Sequence, residues 1–246
     1  LCSLVALTAC GGSKILKEPA PMVAMQPLVV ASDQKIAVAL DWVIFRDGPG
    51  TWARGADWDE YLLRVWNNTD QPLEVTRLLV IDSLNAPAEA QSDRKLLVKS
   101  SKATARRYKE SGITVQAGTG RGTLGVAAAT AGGAAIGAAA GAGTAFVGAA
   151  GGAAVVGGLV LAPALAVGGV MRGVNQSKVG KQIRLRQTEF PVELAANEER
   201  SLVVFFPIAP APKAVELTYA DLTGEHTLKI DTSEVLDGLH IEAEIE

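Results

Sequence analysis

Two parts of the chain alternate between apolar and polar residues, and this pattern predicts β-strands. The apolar positions are rich in Val, Ile, Leu and Trp, and clusters of turn-forming residues separate the runs. A polar cluster at 67–72 marks one turn, and Asp221 to Gly224 marks a hairpin. The predicted strands are 35–46, 60–67, 72–83, 182–186, 189–194 and 200–208, followed by a hairpin over 213–231.

Between these parts, residues 122–171 contain no Asp, Glu, Lys or Arg. Gly and Ala dominate the first arm of this charge-free segment, Leu and Val are more frequent in the second, and a glycine-rich turn separates them. Each arm has about 20 to 25 residues, enough for a helix that crosses one bilayer core. We expect a helical hairpin that enters a membrane. Partly buried helices and a disordered Gly/Ala loop are the alternatives.

Three glycines in the first arm, Gly133, Gly137 and Gly141, are spaced four residues apart. On a helix they form one groove, which lets a second helix approach closely. This row resembles the glycine-zipper segments of bacterial envelope lipoproteins. The first arm is only weakly hydrophobic, so we expect it to insert only when it packs against the second arm or against another copy of the protein.

Residues 88–112 predict a helix, because helix-forming residues dominate and Ser92 or Asp93 can cap it, while Gly112 can end it. The helix is strongly basic. Its cations either form a solvated face or contact anionic headgroups beside a membrane. The basic residues are Arg94, Lys95, Lys99, Lys102, Arg106, Arg107 and Lys109.

Composition excludes several classes of function. The 246 residues carry 23 Lys and Arg against 26 Asp and Glu, and this near balance argues against a dedicated nucleic-acid binder. Two Cys cannot build a disulfide framework or a Cys-rich zinc site, and two His leave little room for a His-rich metal site. The glycines at 120, 122 and 125 match a dinucleotide-binding spacing, but no acidic residue follows before Glu189 to hold a ribose.

The start of the chain resembles the processing signal of bacterial lipoproteins. An apolar run leads into Leu7-Thr8-Ala9-Cys10, which resembles a lipobox, and a Pro-containing tether follows. The resemblance implies that Cys10 carries a covalent lipid, the single non-protein group that we expect. A basic leader and Met do not precede it here, so we expect the natural start upstream of Leu1. Gly11 follows the Cys where an inner-membrane protein would have Asp, which resembles an outer-membrane address.

The strand-rich parts resemble the small β-sandwich modules of bacterial envelope lipoproteins. The residues that carry the resemblance are the strand end and turn from Val65 to Leu73, the strand end at Ile81 and Asp82, the stretch from Pro191 to Leu202, and the late strand Leu217 to Tyr219. The resemblance implies a mainly β fold, an immunoglobulin-like sandwich of about seven strands, interrupted by the basic helix and the hairpin. The expected division is 1–10 signal peptide end with lipobox, 11–32 tether, 33–87 first part of the sandwich, 88–112 basic helix, 113–175 glycine-zipper hairpin and 176–246 second part of the sandwich.

Candidate catalytic groups are few. His226 and His240 are expected on the surface or on an edge strand, and no catalytic triad or zinc-protease motif accompanies them. Asp57, Asp59 and Glu60 form the densest acidic cluster, which predicts a solvated loop, with calcium binding as an alternative. We therefore expect no enzyme activity.

All four Trp lie between positions 42 and 66. Trp42 and Trp66 fall on apolar strand positions and are expected in the core. Trp52 and Trp58 lie in a Gly- and Asp-rich stretch. They either fold back onto the sandwich or, with Asp57 and Asp59, form an exposed recognition surface.

These observations predict a lipid-anchored outer-membrane protein facing the periplasm, with a structural or protein-interaction role. Basic residues on both sides of the charge-free segment oppose insertion into the inner membrane from the periplasm. The expected partners are membrane lipid, further copies bound through the glycine zipper and another envelope protein. Nucleic acid is not expected. A pore-forming or permeabilising protein and a periplasmic ligand-binding module are the alternative functions.

Overall fold

A computed structural model describes residues 13–18, 26–118 and 175–241. The elements are numbered along these residues. They are β1 (Lys14–Ile15), β2 (Val29–Ser32), β3 (Ile36–Ile44), β4 (Ala53–Arg54), β5 (Trp58–Asn67), β6 (Leu73–Ile81), β7 (Pro87–Glu89), α1 (Arg94–Glu110), α2 (Asn175–Arg186), β8 (Val192–Leu194), β9 (Glu199–Pro207), β10 (Ala214–Asp221) and β11 (Gly224–Asp231).

The fold is mainly β, as predicted, and its strands pair in antiparallel sheets. The first sheet has the order β2-β3-β5-β9. The second has the order β11-β10-β6-β7, and the short β8 also pairs with β6. Strands β1 and β4, each two residues long, pair with each other in a third, two-stranded sheet.

One hydrophobic core contains residues from both sheets. Val65 of β5 and Val204 of β9 belong to it, as do Val75 of β6 and Leu217 of β10. Strands β10 and β11 bury alternate residues, because one face packs on this core and the other meets solvent. Strand β5 instead buries every residue from Trp58 to Leu63, because its outer face is covered as well.

Most of the predicted strands are confirmed. Observed strands overlap the predicted ranges 35–46, 60–67, 72–83, 189–194 and 200–208, and the hairpin over 213–231 turns at Asp221 to Gly224. Trp42 is buried in the core, as expected. Trp66 is only half-buried, so the prediction that it lies in the core is wrong.

The strand predicted at 182–186 is wrong, because these residues end helix α2. Ile183 and Leu185 alternate with polar residues, and so short a stretch fits a strand as well as a helix. The helix buries Val179 and Ile183, one turn apart, and leaves Leu185 67% exposed. Packing of Val179 and Ile183 on one helix face therefore favours the helical spacing of apolar residues over the alternation of a strand.

The predicted basic helix is confirmed as α1, but it is shorter than the predicted range 88–112, since Ala88 and Glu89 belong to β7. Asp93 caps it by accepting hydrogen bonds from the backbone N–H groups of Lys95 and Leu96 at 2.6 and 3.2 Å. Gly112 follows with φ +78°, a conformation that ends helices and suits glycine.

Several predictions lie outside the described residues. They are the lipobox with Cys10, the charge-free segment and its glycines Gly133, Gly137 and Gly141. Of the region 113–175, the structure describes only 113–118 and Asn175. Among the described helices, none combines the length and the apolar character needed to cross a membrane.

The turn at 67–72 depends on the buried side chain of Asn67. Its amide nitrogen donates to the carbonyl of Gln71 at 2.8 Å and to that of Ala195, beside β8, at 2.9 Å. Its Oδ1 accepts from the backbone N–H of Thr69 at 2.9 Å. This side chain therefore holds the turn and ties it to the neighbouring strand.

Replacing Asn67 with alanine should lower the free energy of unfolding by about 2 to 3 kcal/mol, because buried backbone groups lose their partners. Urea denaturation of the unacylated Cys10→Ala protein measures this. Asn68→Ala, at the next and more exposed position, should change stability by no more than about 0.5 kcal/mol. Equal effects of the two substitutions would contradict this role for Asn67.

Candidate functional site

A helix layer covers the outer face of the first sheet. It consists of α1, α2 and the loop with β4 that leads into β5. A second hydrophobic cluster fills it, separate from the core between the sheets. Its buried members are Trp52, Ala53, Ala56, Trp58, Leu97, Val179, Ile183 and Phe205. In the sequence, α1 precedes the charge-free segment and α2 follows it.

Helix α1 is positioned by one face that faces the sheet. Leu97, Ser101, Thr104 and Tyr108 are buried at helical spacing. The hydroxyl of Ser101 donates to the carbonyl of Asp57 at 2.6 Å and accepts from the N–H of Ile208 at 2.9 Å. Helix α1 is thereby fixed to both the loop and the end of β9.

Helix α2 is positioned by apolar packing and by a buried ion pair. Val179 and Ile183 enter the second cluster. At the end of the helix, Nη1 of Arg186 lies 2.8 and 3.1 Å from the two carboxylate oxygens of Glu60. The guanidinium also lies 4.8 Å from the ring centroid of Trp52, whose indole N–H donates to Glu60 at 2.5 Å. Glu60 therefore joins α2 to the sheet.

Burial raises the pKa of Glu60 above its ordinary value, because the carboxylate loses water. The positive charge of Arg186 opposes this rise, and the hydrogen bonds from Trp52 and Arg186 oppose it too. The buried carboxylate therefore depends on its cation.

A second buried pair lies beside the start of the charge-free segment. Nε2 of His240 lies 2.8 Å from Oδ2 of Asp59, and both side chains are about 1% exposed. Nδ1 of His240 accepts from the backbone N–H of Gly118 at 3.2 Å, so Nε2 carries the hydrogen and donates it in the hydrogen bond to Asp59. The carbonyl of His240 accepts from Gln116 at 2.9 Å. These contacts hold residues 116–118 against the C-terminal part of the chain.

The prediction that His240 lies on the surface is wrong, since its side chain is fully buried. The placement of His226 on an edge strand is confirmed. Its ring lies on β11, 34% exposed, and stacks on Tyr219. Nε2 of His226 also lies 3.2 Å from Asp221. The pKa of the Asp221 carboxyl is lowered, mainly by the hydrogen bond from Lys35.

The structure corrects the possible exposed recognition surface at Trp52, Trp58, Asp57 and Asp59, because both indoles and Asp59 are buried. Trp52 and Trp58 are 6% and 3% exposed, so the alternative in which they fold back is the one observed. The loop is rich in Gly and Asp, but burial of its two indoles against Val179 and Ile183 of α2 is favoured over exposure, because it removes apolar surface from water. Asp59 is buried with His240, and Asp57 forms an ion pair with Arg46.

The acidic cluster does not converge on a shared point. Asp57, Asp59 and Glu60 bind three different partners, namely Arg46, His240 and Arg186. Across 13–18, 26–118 and 175–241, no three His, Cys, Asp or Glu side chains are grouped as metal ligands. The calcium alternative therefore has no support in this part of the chain.

The outward faces of both helices are basic. On α1 the exposed cations are spaced at i, i+4, i+7, i+11 and i+14, which is one helix face. Two exposed leucines, Leu96 and Leu185, lie among them with 48% and 67% of their surface exposed. The exposed cations of these outward faces are Lys95, Lys99, Lys102, Arg106 and Lys109 on α1, and Lys178, Lys181 and Arg184 on α2. Arg107 is exposed as well, but it lies to one side of the α1 face and pairs with Asp82.

No protein-family model, curated protein or solved structure matches this chain. The site therefore rests on its own geometry. Sequence reasoning missed the two buried pairs, although one signal was present. Asp59 and Glu60 are consecutive charges at the start of an apolar strand, and one of the two must face the core.

Proposed function

We propose that this chain is a lipid-anchored protein of the bacterial cell envelope without enzyme activity. Its sandwich presents the charge-free segment to a membrane or to other copies of the protein. The supporting observation is that the chain is clamped on both sides of this segment. Gly118 is held by the buried His240, and α2 is held by the buried Glu60.

We propose further that the two sheets form an immunoglobulin-like sandwich. In that arrangement the first, second and fifth strands share one sheet, and the third, sixth and seventh share the other. The strands β3, β5, β6, β8, β9, β10 and β11 support this when counted in that order. The first, second and fifth pair in one sheet, and the seventh, sixth and third pair in the other, while the fourth, β8, pairs with the third instead of joining the first sheet. The helices and the charge-free segment then form an insertion between the third and fourth strands.

The clamping supports a hairpin in particular. Residues 116–118 and α2 both contact one sandwich, so the two flanks of the charge-free segment are held on the same folded domain. A hairpin with both ends on one side satisfies this connection, whereas a single crossing would place its two ends on opposite sides of a bilayer. The ligand-binding alternative loses the exposed tryptophans on which it depended.

Fractionation of cells that express the full gene tests this function. The wild type, Cys10→Ala, a deletion of 122–171 and the combined variant are compared after carbonate washing. We expect each single variant to stay in the membrane pellet and the combined variant to be released, because acyl chains and the segment are independent anchors. Labelled fatty acid should be lost in Cys10→Ala and retained in the control Cys2→Ala.

Two results would contradict the proposal. A Cys10→Ala protein that still takes up label is not anchored through Cys10. A Cys10→Ala protein that is folded, fully soluble and monomeric has neither a second membrane element nor a segment that binds other copies. Dye leakage from liposomes, together with oligomers in detergent, would favour the pore-forming alternative over a structural role.

A further inference from the structure

We propose that the outward faces of α1 and α2 together form a docking surface for anionic phospholipid headgroups. This inference rests on the proposed function, because it identifies the surface that lies against the membrane when the charge-free segment enters it.

The two helices direct their cations to the same side of the protein. Both pack on the outer face of the first sheet, α1 through Leu97 and α2 through Val179 and Ile183. They also contact each other, since Arg94 of α1 donates to the side chain of Gln176 on α2 at 3.0 Å. The faces opposite these contacts therefore point away from the sheet, and they carry the exposed cations.

The cations that fasten the helices to the sandwich are not the cations of the outward faces. Arg107 binds the buried Asp82, and Arg186 binds the buried Glu60. Within the described residues, by contrast, none of the outward cations has a carboxylate oxygen within 4.0 Å. Glu110 is the single acidic residue of the two helices. A chain with net charge −3 thus concentrates positive charge on one face, and no carboxylate of the described residues pairs with it.

The surface has an apolar component that points to a lipid rather than to a soluble polyanion. Leu96 and Leu185 are exposed among the cations, next to Lys95 and Arg184 respectively. Leucine side chains gain free energy at the boundary of headgroups and acyl chains, and cations gain it from anionic headgroups. Helix α2 also begins three residues after Arg172, which bounds the charge-free segment, so its cations lie close in sequence to the predicted membrane entry point.

Binding of the unacylated, full-length Cys10→Ala protein to vesicles tests the surface. The measured quantity is the ratio of partition coefficients between phosphatidylcholine vesicles with and without phosphatidylglycerol. This ratio isolates the charge-dependent part of binding, because insertion of the charge-free segment contributes to both. We expect a ratio well above one that falls with added salt.

Charge reversal on the two helices should remove most of this preference. Lys99→Glu combined with Lys181→Glu should reduce the ratio by about thirtyfold or more, since each cation near an anionic surface contributes roughly a fivefold preference. The matched control combines Lys213→Glu with Lys229→Glu. Both of these lysines are exposed, and Lys229 lies on the second sheet. The control has the same net charge and should keep the wild-type ratio.

The leucines provide an independent test. Leu96→Ser combined with Leu185→Ser should weaken binding to both vesicle types, because the apolar contact does not depend on headgroup charge. The proposal is overturned if the wild type binds both vesicle types equally, or if the control pair loses as much as the helix pair. It is overturned as well if inorganic phosphate or a soluble polyanion displaces the protein and the serine variant binds like the wild type.

These outcomes are separable from those of the proposed function. An envelope protein can be released by the combined deletion and still show a ratio of one, which removes only the docking surface. Conversely, a wild type that takes up no label, together with a Cys10→Ala protein that still prefers phosphatidylglycerol, contradicts the lipid anchor and supports the docking surface.

Discussion

Replacing Arg186 with methionine should lower the free energy of unfolding by about 3 to 5 kcal/mol at neutral pH. The substitution removes the cation that compensates Glu60, whose side chain is only 1% exposed. It also removes the stacking of the guanidinium over Trp52. Urea denaturation of the unacylated Cys10→Ala protein, followed by tryptophan fluorescence, measures the loss.

The loss should depend on pH in a defined direction. Burial already raises the pKa of Glu60 above 4.5, and removal of Arg186 raises it further. An acid with a raised pKa in the folded state stabilises the fold below its unfolded pKa, and this contribution is lost as the pH rises through the folded pKa. The Arg186→Met protein should therefore approach the wild type as the pH falls through that raised value, because a protonated Glu60 needs no cation.

Arg184→Met is the matched control, because Arg184 is exposed and lies two residues earlier on the same helix. It should change stability by no more than about 0.5 kcal/mol. Adding Glu60→Gln to Arg186→Met should recover part of the loss, since no buried charge then lacks a partner. Equal effects of the two arginine substitutions, or a loss independent of pH, would contradict the role of this ion pair.

The second large effect is expected at His240. Its replacement with asparagine should cost about 3 kcal/mol or more, because the shorter side chain leaves the buried carboxylate of Asp59 without its donor. Among the described residues, the other carboxylate oxygen of Asp59 has no hydrogen-bond partner. Asparagine is chosen because residue 240 has φ +64°, which asparagine tolerates better than most residues.

This substitution should also have a local effect next to the charge-free segment. The N–H of Gly118 loses its acceptor, so its hydrogen exchange should become faster by a larger factor than that of core amides in β6. The control is His226→Asn, at the partly exposed histidine, which should cost no more than about 1 kcal/mol. Similar losses at both histidines, with unchanged exchange at Gly118, would show that the buried pair does not hold this part of the chain.

Local signals in the sequence predicted the elements whose stability is local. The alternation within Leu73–Ile81 and the turn at Asp221 predicted strands and a hairpin, because side-chain period and turn chemistry act over a few residues. Ser92 and Asp93 predicted where α1 starts, because both residue types cap helices, and Asp93 forms the capping hydrogen bonds. The absence of charged residues from 122 to 171 is likewise visible in the sequence alone, as are the basic residues on both sides of this segment.

The tertiary structure decided what depends on distant partners. Helix α2 forms instead of a strand because Val179 and Ile183 find the cluster around Phe205. The same cluster buries Trp52, which the composition of its loop left undecided. Arg186 and Glu60 are 126 positions apart, and His240 and Asp59 are 181 positions apart. A buried charge requires a partner, but local periodicity carries no information about which distant residue supplies it, so only the folded chain identifies these two pairs.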